Sequence, residues 1–375
     1  MIHGRFRIVV LCLVVCAVFT SPRGFAAAAA ETPPDPTNAF FLSAVPSDYN
    51  KLEKFFAALK EGGANTVIIG PLEGGVPDGD VLPNIVYLAH ASGLKIFFVL
   101  PARGWSAALR EHPEWEDMRY DLNSGTLQAT GKLDLFQPDA VDYLVKLYRN
   151  VASYSLDGIL LGGDFYYRDT EGMSTAAMEE YKKRYGVALI TGRALARVGS
   201  VTDGSAVLEY GEGFREWTEL KKERLAGALQ SIMTAAVKVN GTIKFGVPLQ
   251  GPELESPDAA LSKYAFDVNA LSAFNADFFW IPILHRDIRE SRRLKYKEGM
   301  EELARIAQAA TTMVKDPCKS LIIIQTSAVS GKILPFSEIE EATALVKKSG
   351  DPCIAYMISP NRTLPVALTK KLFKR

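Results

Sequence analysis

Eight short apolar runs separated by helical stretches are the feature that most constrains the fold of this chain. Such runs are typical of strands buried on both faces, and their alternation with helices is typical of a parallel sheet. Eight strand–helix units in a chain of 375 residues predict an α/β protein, a single-domain (β/α)8 TIM barrel. An open doubly wound sheet is the alternative, because strand count does not establish closure. The predicted strands span residues 39–45, 66–69, 95–100, 158–161, 243–247, 277–283, 321–324 and 354–358.

Amphipathic stretches between these runs predict the helices. The longest, residues 214–239, ends a helical insertion after the fourth strand. Gly62 and Gly63 predict the end of the first helix, because glycine commonly stops helices. The remaining predicted helices span residues 48–60, near 85–91, 139–151, near 259–274, 297–313 and 337–348.

The first 30 residues have the pattern of a secretory signal peptide. Arg5 and Arg7 precede an apolar run at residues 8–19, and residues 26–30 are small alanines suited to cleavage. We therefore expect a signal peptide at residues 1–30, a tether at 31–37 and the barrel at 38–375, with a periplasmic or secreted location. A lipoprotein is the less favoured alternative, because Val15 before Cys16 is larger than the residue such a site prefers. No later segment is long and apolar enough to span a membrane.

Charge and histidine usage exclude several classes of function. Lys and Arg total 43, and Asp and Glu also total 43, whereas a nucleic-acid-binding surface would show a basic excess. The four histidines are scattered without metal-ligand spacing, and the sequence has no phosphate loop or convincing dinucleotide fingerprint. The sequence therefore predicts no nucleic-acid partner, no metal and no cofactor.

Cys318 and Cys353 are the cysteines that remain after the predicted signal peptide. Each follows an Asp-Pro pair and precedes an apolar run, so each is expected at the start of a neighbouring parallel strand. Strand spacing of about 4.8 Å falls within the usual disulfide separation, and the expected compartment is oxidising. We predict a disulfide between them; two buried thiols are the alternative.

The segment after the fourth predicted strand concentrates more chemistry than any other. Gly162 and Gly163 end the strand with room beside the backbone, and an acid, three aromatics, an arginine and a second acid follow. In a barrel the carboxyl ends of the strands converge on one face and carry the site. Polar groups beside flat rings suit a sugar, which has polar edges and apolar faces. The expected substrate-binding residues are Glu73, Arg103, Trp105, Phe165, Tyr166, Tyr167, Arg168, Asp169, Trp280 and Gln325.

Glycosidic hydrolysis usually takes two carboxyl groups. Asp164 is the first candidate, because Phe165 and Tyr166 would desolvate it and help it serve as acid. The alternative is a structural role, in which Asp164 caps the next helix or pairs with Arg168. Glu253 is the candidate for the second carboxylate, with Glu73 and Asp169 also within reach of the same face.

Several phrases of the sequence resemble the glycoside-hydrolase-like barrels attached to bacterial poly-β-1,6-N-acetylglucosamine deacetylases. The match covers residues 111–171, and beyond it only the order of strands and helices agrees. The matching segments are Leu135-Phe136-Gln137-Pro138-Asp139, Tyr148, Leu156-Asp157-Gly158-Ile159-Leu160 and Asp164-Phe165-Tyr166-Tyr167-Arg168-Asp169-Thr170-Glu171. His112-Pro113-Glu114-Trp115 is similar to a segment of the wider group of related glycosidase barrels.

The resemblance implies an extracytoplasmic barrel that hydrolyses an amino-sugar polysaccharide, with Asp164 as acid. Two departures favour an alternative, a catalytically inactive barrel that binds the polymer during exopolysaccharide export. The family commonly ends the fourth strand in two consecutive acids, where this chain has Gly163 and Asp164. It also tends to place an acid before the glutamine of the seventh strand, where this chain has Ile324 before Gln325.

Overall fold

The structure is a computed structural model, and its described residues begin at residue 38. The predicted signal peptide and tether, residues 1–37, lie outside the described residues. The described residues are 38–42, 48–70, 81–189, 197–198, 208–249, 254, 257–267, 276–328, 332–350, 352–358 and 370–373.

Eight parallel strands close into a barrel, which confirms the predicted fold. The second, third and fourth barrel strands have the predicted bounds, and the fifth lies one residue later than predicted. The strands are β1 (Ala39–Leu42), β2 (Thr66–Ile69), β3 (Lys95–Leu100), β4 (Glu116–Asp121), β5 (Thr126–Leu133), β6 (Gly158–Leu161), β7 (Arg197–Val198), β8 (Leu208–Glu209), β9 (Lys244–Pro248), β10 (Phe278–Ile283), β11 (Ser320–Gln325) and β12 (Cys353–Ile358). Around the barrel the order is β1, β12, β11, β10, β9, β6, β3 and β2.

Helices follow the barrel strands, and the longest matches its prediction. This helix, α6 (Phe214–Val239), packs its buried face against α4 (Pro138–Ala152). None of the helices in the described ranges is long and apolar enough to span a bilayer. The helices are α1 (Tyr49–Glu61), α2 (Val81–Ala91), α3 (Ser106–Glu111), α4 (Pro138–Ala152), α5 (Thr175–Tyr185), α6 (Phe214–Val239), α7 (Pro257–Tyr264), α8 (His285–Ser291), α9 (Tyr296–Val314) and α10 (Phe336–Lys348).

The barrel strands are apolar because both of their faces are buried. In β1, Phe40 and Leu42 pack under the helices, whereas Ala39 and Phe41 belong to a separate cluster inside the barrel. Inside the barrel, Gly158 leaves space for a ring, since a Cβ there would lie 2.0 Å from Phe97. This alternation of faces explains why the strands read as continuous apolar runs.

An antiparallel hairpin, β4–β5, stands between β3 and α4, where we predicted no strand. Its turn is held by Asp121, whose Oδ1 accepts hydrogen bonds from the backbone N–H groups of Asn123 and Ser124 at 2.8 and 3.0 Å. Gly125 completes the turn with φ +69°, a conformation that favours glycine. Most residues of β5 are exposed or half-buried, so the strand lacks the apolar run on which the other strands were recognised.

The predicted disulfide is wrong, because Cys318 and Cys353 are not bonded to each other. Cys318 lies in a short 3-10 helix, Pro317–Lys319, that precedes β11, and its side chain is exposed. The residue of β11 that lies beside Cys353 is Leu321, three residues further along. Cys353 is buried inside the barrel, with its Sγ 4.0 Å from the carbonyl oxygen of Cys318. The two Asp-Pro-Cys phrases are therefore not in register.

Candidate functional site

Asp164 follows β6 and holds the turn that follows β3. Its Oδ1 accepts a hydrogen bond from the backbone N–H of Ala102 at 2.9 Å. Its Oδ2 accepts from the N–H groups of Arg103 and Gly104 at 2.7 and 2.5 Å. With three N–H donors on its two oxygens, this side chain acts as a hydrogen-bond acceptor. The side chain therefore joins the carboxyl ends of two neighbouring barrel strands.

Glycines on both sides leave the space that this carboxylate occupies. A Cβ on Gly162 would lie 2.5 Å from Oδ1 of Asp164 and 3.0 Å from the carbonyl oxygen of Leu100. A Cβ on Gly104 would lie 3.1 Å from Oδ2. The room predicted beside Gly162 is thus filled by the side chain of Asp164.

Arg103 is fully buried, which places it away from any ligand. Its NH2 donates to Asp117 Oδ2 at 2.5 Å, and its NH1 donates to Glu171 Oε2 at 3.1 Å and to the carbonyl of Tyr166. Its Nε donates to the carbonyl of Leu133 at 2.9 Å. The guanidinium thus links the hairpin to the segment after β6. The prediction that Arg103 contacts substrate does not fit this geometry.

The pKa values of the two carboxylates around Arg103 are shifted in opposite directions. Burial raises the pKa of Asp117 to about 7, although Arg103 acts in the opposite direction. Burial also acts to raise the pKa of Glu171, but Arg103 and Lys132 outweigh it and the pKa lies below its ordinary value. Lys132 Nζ donates to Glu171 Oε1 at 2.8 Å. We call Arg103, Asp117, Lys132 and Glu171 the ionic cluster.

Two of the three aromatic residues after Asp164 belong to the core. Phe165 and Tyr167 are both buried. The hydroxyl of Tyr167 accepts from the backbone N–H of Leu135 at 2.8 Å and donates to Asp134 Oδ1 at 3.2 Å. Both rings pack into the core beneath this segment. The prediction that Phe165 and Tyr167 contact a sugar therefore does not fit the structure, because neither ring is exposed.

The other residues of this segment form a half-exposed surface of rings and charges. Tyr166 packs edge-on against Tyr264, at the end of α7, with 5.3 Å between the ring centroids. Arg168 is exposed, and its guanidinium lies near the side chain of Tyr166. Asp169 Oδ2 accepts from the hydroxyl of Tyr210 at 3.3 Å. We call Tyr166, Arg168, Asp169, Tyr210 and Tyr264 the tyrosine patch. Such rings with polar edges are suited to binding a sugar.

The remaining predicted site residues are buried or lie outside the described residues. Trp105 is buried and its Nε1 donates to the carbonyl four residues earlier at 2.8 Å. Trp280 is buried inside the barrel, where its Nε1 donates to the carbonyl of Leu161 at 3.0 Å. Gln325 is buried and joins α8 to β11. Glu73 and Glu253 lie outside the described residues. The structure thus brings together Asp164, Tyr166, Arg168 and Asp169 from the predicted set.

The patch contains two residues that sequence reasoning missed. Tyr210 precedes α6 and Tyr264 ends α7, in segments that follow the fourth and fifth barrel strands. Tyr210 also stacks on Phe214, with 3.7 Å between the ring centroids. The sequence signal that could have found them is a tyrosine beside a helix terminus, in a segment that follows a barrel strand.

A second polar cluster joins the carboxyl ends of β10 and β11. His285 is buried, with its Nε2 3.0 Å from Glu338 Oε1, and Arg286 NH2 donates to Glu338 Oε2 at 2.6 Å. Burial lowers the pKa of His285 below its ordinary value, although Glu338 acts to raise it. Within the described part of the chain, the other ring nitrogen of His285 has no hydrogen-bond partner. The same residue range contains no group of three His, Cys, Asp or Glu side chains placed to hold a metal ion.

Comparison with solved structures finds the same barrel in carbohydrate-active proteins. The glycoside hydrolase domain of PgaB (BpsB) from Bordetella bronchiseptica has a TM-score of 0.70 and 13% identity, covering 90% of this chain and 99% of that one. The catalytic domain of β-amylase from Paenibacillus polymyxa has a TM-score of 0.58 and 13% identity, covering 90% and 98%. No protein-family model and no curated protein matches the sequence. The resemblance to glycoside-hydrolase-like barrels is confirmed as a similarity of fold.

Proposed function

We propose that this protein is an extracytoplasmic, glycosidase-like barrel that binds an amino-sugar polysaccharide of the poly-β-1,6-N-acetylglucosamine type without cleaving it. The observation that carries the proposal is the arrangement at Asp164, whose two oxygens accept three backbone hydrogen bonds. A general acid must instead direct a proton at the leaving group. The carboxylate therefore serves the turn after β3.

The tyrosine patch is the proposed binding surface. It combines the half-buried ring of Tyr166 with the exposed guanidinium of Arg168 and the carboxylate of Asp169. Rings of this kind cover the apolar face of a sugar, while the charged groups bond its hydroxyl and amino substituents. The similarity to the PgaB glycoside hydrolase domain supports a carbohydrate ligand, and the predicted signal peptide supports a role during exopolysaccharide export.

Hydrolysis of the same polymer, with Asp164 as acid and Glu253 as the second carboxylate, is the second candidate. The similarity of the barrel to a glycoside hydrolase domain over 90% of the chain favours it. In this mechanism Asp164 must release its backbone partners and carry a proton toward the glycosidic oxygen.

Product analysis and binding measurements on the same samples separate the two candidates. Wild type, Asp164→Asn and Tyr166→Ala are incubated with poly-β-1,6-glucosamine polymers of graded acetylation. Intact polymer by mass spectrometry, with affinity reduced about tenfold in Tyr166→Ala, supports a binding barrel. Tyr87→Ala, on α2 and 69% exposed, is the matched control and should bind like wild type.

Other outcomes contradict the proposal in distinct ways. Shortened oligomers from wild type but not from Asp164→Asn establish hydrolysis and assign the acid. Intact polymer with no measurable binding by wild type overturns the carbohydrate proposal itself.

A further inference from the structure

Lys221, in the first third of α6, binds the backbone of the tyrosine patch on its buried side. Its Nζ donates to the carbonyl oxygens of Arg168 at 2.9 Å, Asp169 at 3.2 Å and Glu171 at 3.4 Å. The side chain is fully buried, so these carbonyls have no access to water on that side. Buried carbonyl groups need donors, and one ammonium group supplies three of them here.

The backbone lies directly on the stem of this lysine. Gly172 has φ +85°, and a Cβ there would lie 3.0 Å from Cδ of Lys221. The N–H of Gly172 donates to Asp117 Oδ1 at 3.1 Å, so the same residue also joins the ionic cluster. Residues 168–172 are therefore fixed between α6 and the hairpin.

The charged form of an ammonium group is disfavoured at this buried position. Burial lowers the pKa of Lys221 to about 8, although Asp169, Asp117 and Glu171 act to raise it; Arg103 lowers it further. Removing a charged group from water carries a large desolvation penalty, which its interactions inside the protein must offset. The fold therefore retains a costly group whose observed hydrogen bonds all reach one short segment.

We propose that Lys221 is a positioning residue for the tyrosine patch, holding the turn at residues 168–171 so that Arg168 and Asp169 are presented to the ligand. The claim that Lys221 presents Arg168 and Asp169 to a ligand rests on the proposed binding function. The claim that Lys221 holds the turn does not depend on that function. Without the ammonium group the turn opens locally, while the barrel beneath it stays folded.

Hydrogen exchange of the ligand-free protein tests the structural part. In Lys221→Met, amides in residues 165–173 should exchange at least about tenfold faster than in wild type, because the carbonyls lose their donor. The N–H groups of Glu171 and Met173, which donate to Arg168 and Met118 at 3.0 and 2.9 Å, report this opening. Lys221→Gln, which keeps an amide donor, should restore part of the protection. Lys222→Met is the control, since Lys222 pairs with Glu219 and Asp267 instead.

Affinity for the glucosamine polymer, measured on the same variants, tests the consequence. Faster exchange confined to residues 165–173, with affinity lowered about tenfold in Lys221→Met only, supports the inference. Unchanged exchange there, faster exchange throughout the barrel, or a loosened turn with unchanged affinity each overturns it. If wild type does not bind the polymer, the proposed function fails, while the exchange data still decide whether Lys221 holds the turn.

Discussion

Replacing Asp164 by alanine should destabilise the protein strongly, even though the residue lies in the candidate site. The substitution removes the acceptor of three backbone N–H groups, those of Ala102, Arg103 and Gly104. A hydrogen bond contributes about 1 kcal/mol net, and bonds to charged groups contribute more. Asp164 is half-buried, so water replaces part of the loss. We therefore expect the unfolding free energy to fall by about 3 kcal/mol, at about 1 kcal/mol for each bond.

Urea unfolding followed by tryptophan fluorescence measures this change. The midpoint should move to lower urea while the m-value stays the same, because the surface exposed on unfolding is unaltered. Asp316→Ala provides the matched control. Asp316 is also half-buried, but its carboxylate accepts only one backbone hydrogen bond among the described contacts, from Cys318 at 3.0 Å. It should therefore lose about 1 kcal/mol.

The comparison of the two variants decides the role of Asp164. If Asp164→Ala is no less stable than Asp316→Ala, the three amide contacts do not hold the turn, and our reasoning is refuted. If that result is accompanied by loss of polymer cleavage, the carboxylate acts in chemistry.

Three further predictions concern Gly162, Lys221 and the two cysteines. Gly162→Ala should lower the unfolding free energy by about 2 kcal/mol, measured by urea unfolding, because the added Cβ would meet Asp164 Oδ1 at 2.5 Å; unchanged stability would contradict the observed packing. The stability of wild type relative to Lys221→Met should rise by up to about 3 kcal/mol between pH 8 and 10.5. Between these pH values Lys221 of the folded protein, with a pKa of about 8, has lost its proton, whereas Lys221 of the unfolded chain still binds one. A stability difference between the two proteins that does not change with pH would refute this prediction. Alkylation of the native protein, read by mass spectrometry, should modify the exposed Cys318 rapidly and the buried Cys353 only after denaturation, whereas resistance of both thiols until reduction would restore the disulfide.

The barrel was predictable because each buried strand is marked in the sequence by a continuous run of apolar residues. A strand covered on both faces, such as β11, is apolar from Leu321 to Ile324, and β12 is apolar along its length. The hairpin gives no such signal, since β5 has no apolar run and most of its residues are exposed or half-buried. It is anchored by Asp117 and Lys132, whose partners lie elsewhere in the chain.

The site was less predictable, because its geometry depends on contacts between distant residues. Asp164 was correctly expected at the carboxyl end of the fourth barrel strand, but its partners belong to the turn after the third strand. In the sequence, an arginine directly after a barrel strand indicates a ligand contact. In the structure, Arg103 instead pairs with the carboxylates of Asp117 and Glu171, which come from two other segments of the chain. The disulfide prediction failed for a related reason, since a repeated phrase does not specify strand register.

The ionic cluster also determines how this barrel can be altered. Its members come from the turn after β3, both strands of the hairpin and the segment that leads into the helical insertion. Trimming the hairpin to obtain a smaller scaffold would leave Arg103 as a buried charge with fewer partners, at a cost of about 3–5 kcal/mol. The hairpin and the segment after β6 are therefore not interchangeable modules. A graft onto another barrel must transfer both together, or replace Arg103 by an apolar residue in the same step.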